Sequence, residues 1–102
     1  MIALVRDRLA ELETACQRYA VRRLTLIGSA AAGTFKPETS DLDFLVEFTP
    51  LPPVRRAQCY FGLLLDLEQL FGRSVDLVDL AAIRNPYFAQ AVNADQEVLY
   101  AA

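Results

Sequence analysis

The chain has 102 residues, of which 54% are hydrophobic and 23% are charged, and its formal net charge is −3. This length predicts one domain over residues 1–102, and the apolar share excludes a disordered chain. Because the net charge is negative, the chain has no broad positive field for a phosphate backbone. We therefore expect no nucleic acid partner.

Membrane and secretion signals are not found in the sequence. The longest uncharged stretch, residues 24–35, is shorter than the ~20 residues that a membrane-spanning helix needs. The charged residues 6–8 interrupt the N-terminus before the apolar core of a secretory signal forms. Cys16 and Cys59 lack C-x-x-C spacing and are expected to be buried thiols, not disulfide partners or metal ligands. We expect a cytoplasmic protein.

The first half of the chain predicts one helix and two strands. Apolar residues recur at alternating steps of four and three over residues 2–20, which places them on one face of a helix. A strand follows over residues 22–28, and a second strand over residues 41–48. The apolar face of the helix consists of Val5, Leu9, Leu12, Cys16 and Tyr19.

The second half predicts a long helix between strands. Prolines at positions 50, 52 and 53 end the second strand, and Pro53 suits the start of a helix over residues 54–71. Gly72 is a fitting end for that helix. The remaining predicted elements are a strand over residues 74–80, a short helix over residues 86–94 and a fourth short strand over residues 97–100.

This alternation of helices and strands predicts an α/β (α+β) fold, a small sheet with helices packed on it. In a strand, successive side chains point to opposite faces, so Asp41 and Asp43 share one face of the second strand. The other face carries only apolar residues. One face is therefore expected to form the core and the other to form a functional site. The apolar residues are Leu42, Phe44, Val46 and Phe48.

A small glycine-bounded turn precedes the acid pair. Gly28 and Ser29 follow the first strand, three alanines lead to Gly33, and a spacer ends in Ser40-Asp41-Leu42-Asp43. The third strand carries Asp76 and Asp79 on opposite faces, so at most one of these two acids can readily join the pair.

These residues resemble the signature of the DNA polymerase β-type nucleotidyltransferase superfamily, in which Gly-Ser, a short turn and Ser-Asp-x-Asp precede an apolar strand. The short chain resembles the minimal nucleotidyltransferases that act as antitoxins beside HEPN-type ribonuclease toxins. The resemblance implies a polymerase β-like fold with a mixed sheet that has an antiparallel component. It also selects Asp76 as the third acid.

The resemblance implies chemistry for each residue of this pattern. Asp41, Asp43 and Asp76 would be catalytic and would hold two Mg²⁺ ions, because hard divalent ions prefer carboxylate oxygens. Asp76 would also accept the proton of the attacking hydroxyl or lower the pKa of that hydroxyl through the metal. The predicted nucleotide-binding residues are Gly28, Ser29, Gly33 and Ser40, whose turn would face the phosphates of ATP.

Each part of the pattern also has an ordinary structural explanation. Ser40-Asp41 is compatible with simple turn chemistry, and Asp76 with a solvated strand residue. Gly28-Ser29 would equally end a strand and cap a short helix that Gly33 closes. The combined order of turn, acid pair and third acid favours the functional interpretation.

One position departs from the resembled pattern. Related minimal nucleotidyltransferases usually carry arginine before the second glycine, where this chain has Ala32. Loss of that guanidinium would weaken triphosphate binding unless another cation replaces it. The candidates, which are by default expected to face solvent, are Lys36, Arg22, Arg23, Arg55, Arg56 and Arg73.

The sequence is compatible with three functions. The resemblance implies a Mg²⁺-dependent antitoxin that transfers AMP from ATP to a hydroxyl, expected to be a tyrosine, of a HEPN-type toxin. The first alternative is a catalytically degenerate antitoxin that neutralises its toxin by binding, which Ala32 favours and the three acids oppose. The second is a transferase for a small molecule such as an aminoglycoside, acting as a homo-oligomer, with a dimer that completes the pocket.

Two aromatic-rich segments are candidates for a protein interface. Tyr60, Phe61 and Leu65 widen the apolar arc of the long helix beyond one face, and residues 86–88 are Pro-Tyr-Phe. Core packing is the alternative explanation for both segments.

Overall fold

The structure is a computed structural model that describes residues 1–83 and 95–102. Within these ranges the chain forms a four-stranded mixed sheet with the strand order β3-β2-β1-β4. Strand β1 is antiparallel to both of its neighbours, and β2 is parallel to β3. The predicted fold class is therefore confirmed. The strands are β1 (Val21–Ile27), β2 (Leu42–Phe48), β3 (Val75–Asp79) and β4 (Glu97–Ala101).

Helices α2 (Leu9–Arg18) and α4 (Pro53–Phe71) pack on one face of this sheet. Helix α4 begins with a proline in its first turn and ends at Gly72, whose φ of 63° is the left-handed conformation that glycine adopts readily. These two boundaries were predicted from the sequence. The helices are α1 (Ala3–Arg6), α2 (Leu9–Arg18), α3 (Gly28–Ala32) and α4 (Pro53–Phe71), and a 3₁₀ turn spans Leu80–Ala82.

The predicted N-terminal helix over residues 2–20 is interrupted, so the prediction of one continuous helix is wrong. Arg8 has a φ of −121°, and its N–H donates to the carbonyl of Val5, three residues back. Residues 6–8 are all exposed, so no core packing holds a continuous helix at this point. The predicted apolar face still points inward on both sides of the break, with Val5, Leu12 and Cys16 buried.

The core lies between the sheet and helices α2 and α4. The apolar face of β2 is buried as predicted, and Phe44 stacks on Phe71 of α4 with ring centroids 5.9 Å apart. Each such side chain contributes roughly 1.5–3 kcal/mol through removal of its surface from water. Cys16 and Cys59 are free, buried thiols, as predicted. Burial raises the pKa of Cys16 to about 12 and so keeps its thiol protonated.

The opposite face of the sheet holds a smaller apolar cluster. Ile27 and Leu45 are buried there, and Val78 and Ile83 pack against them. This face was predicted to form the functional site, but its middle is apolar, with Asp43 and Asp76 at one end and Arg23 and Glu47 at the other. The site therefore lies beside a small apolar support on the same face.

The interface candidates on α4 divide into two groups. Phe61 is 60% exposed and Leu65 is 58% exposed, so core packing does not explain either residue. Tyr60 packs against the core, and its hydroxyl donates to the carbonyl of Leu77 at 2.6 Å. The predicted helix over residues 86–94 and the Pro-Tyr-Phe segment lie outside the described residues. The predicted fourth strand is confirmed as β4.

In the described ranges, 1–83 and 95–102, the helices are too short or too polar to cross a bilayer.

Candidate active site

The first feature of the site is the junction between β1 and α3. Gly28 begins α3 with a φ of 69°, a left-handed conformation that L side chains rarely adopt. A Cβ atom at this position would overlap the carboxylate of Asp43. Glycine is therefore required for the Asp43 side chain to lie against the start of α3.

The second feature is the pairing of two acids across neighbouring strands. Asp43 of β2 is the register partner of Ile27 on one side and of Asp76 on the other. Strands in a sheet lie about 4.8 Å apart, and paired residues point to the same face. The structure therefore places the Asp43 and Asp76 side chains next to each other on the face opposite Phe44. Asp41 is exposed and directly precedes β2.

The electrostatics of Asp43 reflect these neighbours. Burial is the largest cause that raises its pKa, followed by the negative charges of Asp76 and then Asp41. Asp76 and Asp41 therefore lie close enough to Asp43 for their charges to act on it. A carboxylate that is partly desolvated and surrounded by like charge disfavours its ionised form.

A divalent cation would relieve this repulsion, and carboxylate oxygens are the ligands that Mg²⁺ prefers. The donor chemistry of the three aspartates therefore fits such an ion. The acids are neighbours and not a preformed cage. Over residues 1–83 and 95–102, no group of three His, Cys, Asp or Glu side chains is already arranged to hold a metal ion.

The glycine turn forms a five-residue helix, α3. Ser29 lies in its first turn, and the Ser29 carbonyl accepts the N–H groups of Gly33 and Thr34 at the C-terminal end. Gly33 has a φ of 82° and ends the helix, which is the ordinary structural role considered above. Binding of a nucleotide by Gly28, Ser29 and Gly33 stays a prediction.

Ser40 closes a loop between α3 and β2. Its hydroxyl accepts the N–H of Lys36 at 3.0 Å, and its own N–H donates to the Lys36 carbonyl at 2.8 Å. These bonds are the turn chemistry considered above as the alternative. The predicted contact between Ser40 and a nucleotide stays a prediction.

The candidate cations occupy different places. Lys36, Arg23 and Arg55 are exposed, as expected by default. Arg73 is partly buried, with its guanidinium carbon 5.2 Å from the ring centroid of Phe35. Its Nη1 lies 3.5 Å from the Ser40 carbonyl oxygen, at the outer limit of a hydrogen bond. Arg73 therefore contacts the loop that joins the glycine turn to the acids.

Asp79 pairs with an arginine that the sequence did not pair with it. Arg56 of α4 binds it in a bidentate manner, with Nε to Oδ2 at 2.8 Å and Nη2 to Oδ1 at 2.6 Å. The spacing of Asp76 and Asp79 correctly indicated opposite faces. The partner of Asp79 was missed because residues 56 and 79 are far apart in sequence, and only the packing of α4 on β3 brings them together.

Comparison with known proteins identifies the family. Residues 9–96 match the family model described as a nucleotidyltransferase domain. The chain therefore belongs to the nucleotidyltransferase domain family, and the class of protein is a nucleotidyltransferase. A Methanocaldococcus jannaschii protein assigned as a protein adenylyltransferase, MJ0128, is 37% identical over 79 residues. The match covers 78% of this chain and 76% of that relative.

Solved structures share the fold. A toxin–antitoxin structure with AMP-PNP matches with a TM-score of 0.70 and 22% identity, and covers 92% of this chain and 73% of that chain. A complex of a tri-AMPylated Shewanella oneidensis HEPN toxin with an MNT antitoxin matches with a TM-score of 0.66 and 18% identity. That match covers 95% of this chain and 72% of the other. The chain therefore shares the fold of these toxin–antitoxin nucleotidyltransferases, and the predicted nucleotidyltransferase family is confirmed.

Proposed function

We propose that this protein is an antitoxin that transfers AMP from ATP to a tyrosine hydroxyl of a partner HEPN-type ribonuclease toxin. The observation that carries the proposal is the pairing of Asp43 with Asp76, beside Asp41 and against Gly28. The kinship with a protein assigned as a protein adenylyltransferase supports a protein acceptor. The shared fold with an antitoxin bound to an AMPylated HEPN toxin supports the class of partner.

In this proposal, residues 1–102 form one catalytic unit in which the acids and the glycine turn have separate roles. Asp41, Asp43 and Asp76 would hold two Mg²⁺ ions, which when bound neutralise charge on the attacking and leaving oxygens. The N–H groups at the start of α3 and the hydroxyl of Ser29 would donate to phosphate oxygens. Gly28 lets Asp43 approach that end of the helix.

The transfer step forms a bond between the acceptor oxygen and the α-phosphorus of ATP. The bond from that phosphorus to the oxygen bridging the α- and β-phosphates breaks, and pyrophosphate leaves. The proton of the acceptor hydroxyl passes to the carboxylate of Asp76, which is exposed and therefore accessible to a hydroxyl from a second protein. The toxin would supply the acceptor and the surface that positions it.

Transfer of label from α-labelled ATP tests this proposal. The assay contains Mg²⁺ and a co-encoded HEPN-type protein, and compares the parent chain with a variant carrying Asp41→Asn and Asp43→Asn. Asp7→Asn is the matched control, because Asp7 is an exposed aspartate far along the chain from the site. We expect label on the partner with the parent and the control and none with the double variant. Equal labelling by all three proteins would refute the roles of the two acids.

The acceptor is tested separately on the toxin. Replacement of its labelled tyrosine by phenylalanine should abolish labelling and leave the ribonuclease active in the presence of this chain. Label that persists on a serine or threonine would overturn the tyrosine assignment alone.

A second candidate function is neutralisation of the toxin by binding without transfer, and one observation favours it. Ala32 is exposed at the end of α3, so this position provides no cation for a phosphate. A stable complex that silences the toxin without label transfer would support this candidate over adenylylation.

A further inference from the structure

We propose that Arg73 is a positioning residue that braces the loop over residues 34–41 and thereby sets the position of Asp41. The loop joins the end of the glycine turn to the acid pair, so its conformation determines how these two parts of the site meet. The role of Asp41 in transfer rests on the proposed function, whereas the bracing of the loop does not.

The hydrogen bonds within the loop are local. The N–H groups of Thr39 and Ser40 donate to the Lys36 carbonyl at 3.1 and 2.8 Å, and the Lys36 N–H donates to the Ser40 hydroxyl. The Thr34 N–H donates back to Ser29 in α3. These bonds define the shape of the loop and tie it to α3, and Phe35 packs against the hydrophobic core near the start of the loop.

Arg73 supplies contacts at both ends of the loop. Its guanidinium lies over the ring of Phe35 near the start, with 5.2 Å between the guanidinium carbon and the ring centroid. Its Nη1 lies 3.5 Å from the carbonyl oxygen of Ser40 near the end. Because Ser40 directly precedes Asp41, this second contact acts on the peptide that carries the acid. A planar guanidinium stacks on a ring and donates in its own plane, which an ammonium group does not do.

The backbone of Arg73 is itself fixed relative to the acids. It follows Gly72, which ends α4, and only Ser74 separates it from β3. The first pair in the parallel ladder joins Val75 to Leu42, and the next joins Asp76 to Asp43. Arg73 therefore extends from the strand that carries one acid to the loop that carries another.

An open cleft lies behind the loop, so the guanidinium of Arg73 is one of the few groups that contact the loop from this side. The cleft, of about 440 Å³, lies between residues 2–4 of the N-terminal segment and Gly33, Phe35 and Pro37, and Arg73 forms part of its wall. Side chains that line this cleft have no protein contact on the side that faces it. The loop consequently receives less support from α1 than a filled interior would give.

The burial of Arg73 is better explained by positioning than by stability. Its Nε is buried with no hydrogen-bond partner in the structure as described. A buried unpaired donor on a charged group destabilises the folded state, so an apolar side chain of similar length would suit this place at least as well for folding alone. The guanidinium is therefore expected to matter more for the site than for folding.

The test compares Arg73→Met with Arg55→Met, a matched control at an exposed position on α4. Methionine keeps much of the stem and removes the planar donor group. We expect the melting temperature of Arg73→Met to stay within about 5 °C of the parent. Hydrogen exchange at the amides of residues 36, 39 and 40 should become about tenfold faster, since each donates within the loop. Arg55→Met should match the parent.

Transfer kinetics provide the second readout. At saturating ATP, kcat of Arg73→Met should fall by about 10²-fold, because a displacement of one catalytic group by about 1 Å has an effect of this size. Arg73→Lys should also be impaired, since the charge is kept but the stacked fork is lost. Full transfer by Arg73→Lys would overturn the bracing role in favour of a simple requirement for charge.

The remaining outcomes are also decisive. Unchanged exchange in Arg73→Met would overturn the proposal, and faster exchange with unchanged kcat would overturn the link to Asp41. If Arg73→Met fails to fold, Arg73→Lys keeps the charge and removes the stacked fork, and the same amides should then exchange faster. If the parent transfers no AMP, the proposed function fails, and exchange in the loop still decides whether Arg73 braces it.

Discussion

Asp43 and Phe44 are adjacent in β2 but lie on opposite faces of the sheet, and the two faces differ in what their side chains contact. Phe44 is fully buried and stacks on Phe71 of α4. Asp43 is half-buried. Burial raises its pKa above the ordinary aspartate value, and the negative charges of Asp76 and Asp41 raise that pKa further. The core face therefore stabilises the fold, whereas the acid end of the opposite face opposes it. Residues retained against stability in this way are typical of functional sites.

The largest expected effect on stability lies on the core face. Phe44→Ala should lower the free energy of unfolding by about 3–5 kcal/mol, because it removes buried surface and leaves a cavity. Chemical denaturation measures this loss. If the variant is unfolded in buffer, Phe44→Leu, with an expected loss below about 1.5 kcal/mol, gives the comparison within the folded range. A loss below about 1 kcal/mol for alanine would contradict the assignment of this face as the core.

The two aspartates of β3, Asp76 and Asp79, are also expected to differ in their effects on stability and on transfer. Arg56→Met should destabilise the fold by about 1–3 kcal/mol, because it leaves the partly buried Asp79 carboxylate without its bidentate partner. Asp76→Asn should leave stability unchanged or raised and abolish transfer. Thermal unfolding and label transfer on the same preparations distinguish the two acids. A stability loss for Asp76→Asn as large as that for Arg56→Met would break the distinction.

Gly28→Ala should affect both the stability of the fold and the transfer activity. Alanine at a positive φ costs about 1 kcal/mol, and its Cβ also displaces the Asp43 carboxylate. Gly72→Ala is the matched control, because Gly72 has a similar φ of 63° and open space around the added Cβ. We expect similar backbone costs in both variants and a loss of transfer in Gly28→Ala only. Equal activity in the two variants would show that Asp43 tolerates displacement.

The smallest expected effect is the pH dependence of stability. A folded-state pKa of Asp43 above its unfolded value means that the native state binds the proton more tightly. Its contribution is therefore most favourable at acidic pH and is lost as the pH rises from the ordinary aspartate value through the raised folded value. In metal-free buffer, the free energy of unfolding of Asp43→Asn should therefore fall less than that of the parent between pH 4 and pH 7, as measured by denaturant unfolding. Identical pH profiles for the parent and the variant would contradict the shift.

Much of the fold was predictable because local patterns determine it. The strands β1 to β4 and the helix α4 follow from period-two runs, prolines and Gly72, and the apolar alternation in β2 correctly assigned the buried face. The break in the N-terminal helix was missed because the apolar spacing continues across residues 6–8. Only the absence of packing at those charged positions distinguishes two helices from one.

The candidate site was predictable in its members but not in its contacts. The order of glycines and acids along the chain selected Asp41 and Asp43, the family resemblance selected Asp76, and the β2–β3 register places Asp43 beside Asp76. The contact between Gly28 and Asp43, the pairing of Arg56 with Asp79 and the placement of Arg73 against Phe35 depend on tertiary packing. No spacing rule within the sequence encodes contacts between such distant positions.

The central claim is that the acid end of the sheet is kept for transfer at the expense of stability. The most direct test measures the unfolding free energy of Asp43→Asn beside the parent in metal-free buffer at pH 7, with AMP transfer assayed on the same samples. We predict an unfolding free energy equal to or above that of the parent, together with transfer reduced by about 10²-fold or more. A variant that is destabilised yet retains transfer would contradict the account, because Asp43 would then be part of the scaffold and not of the site.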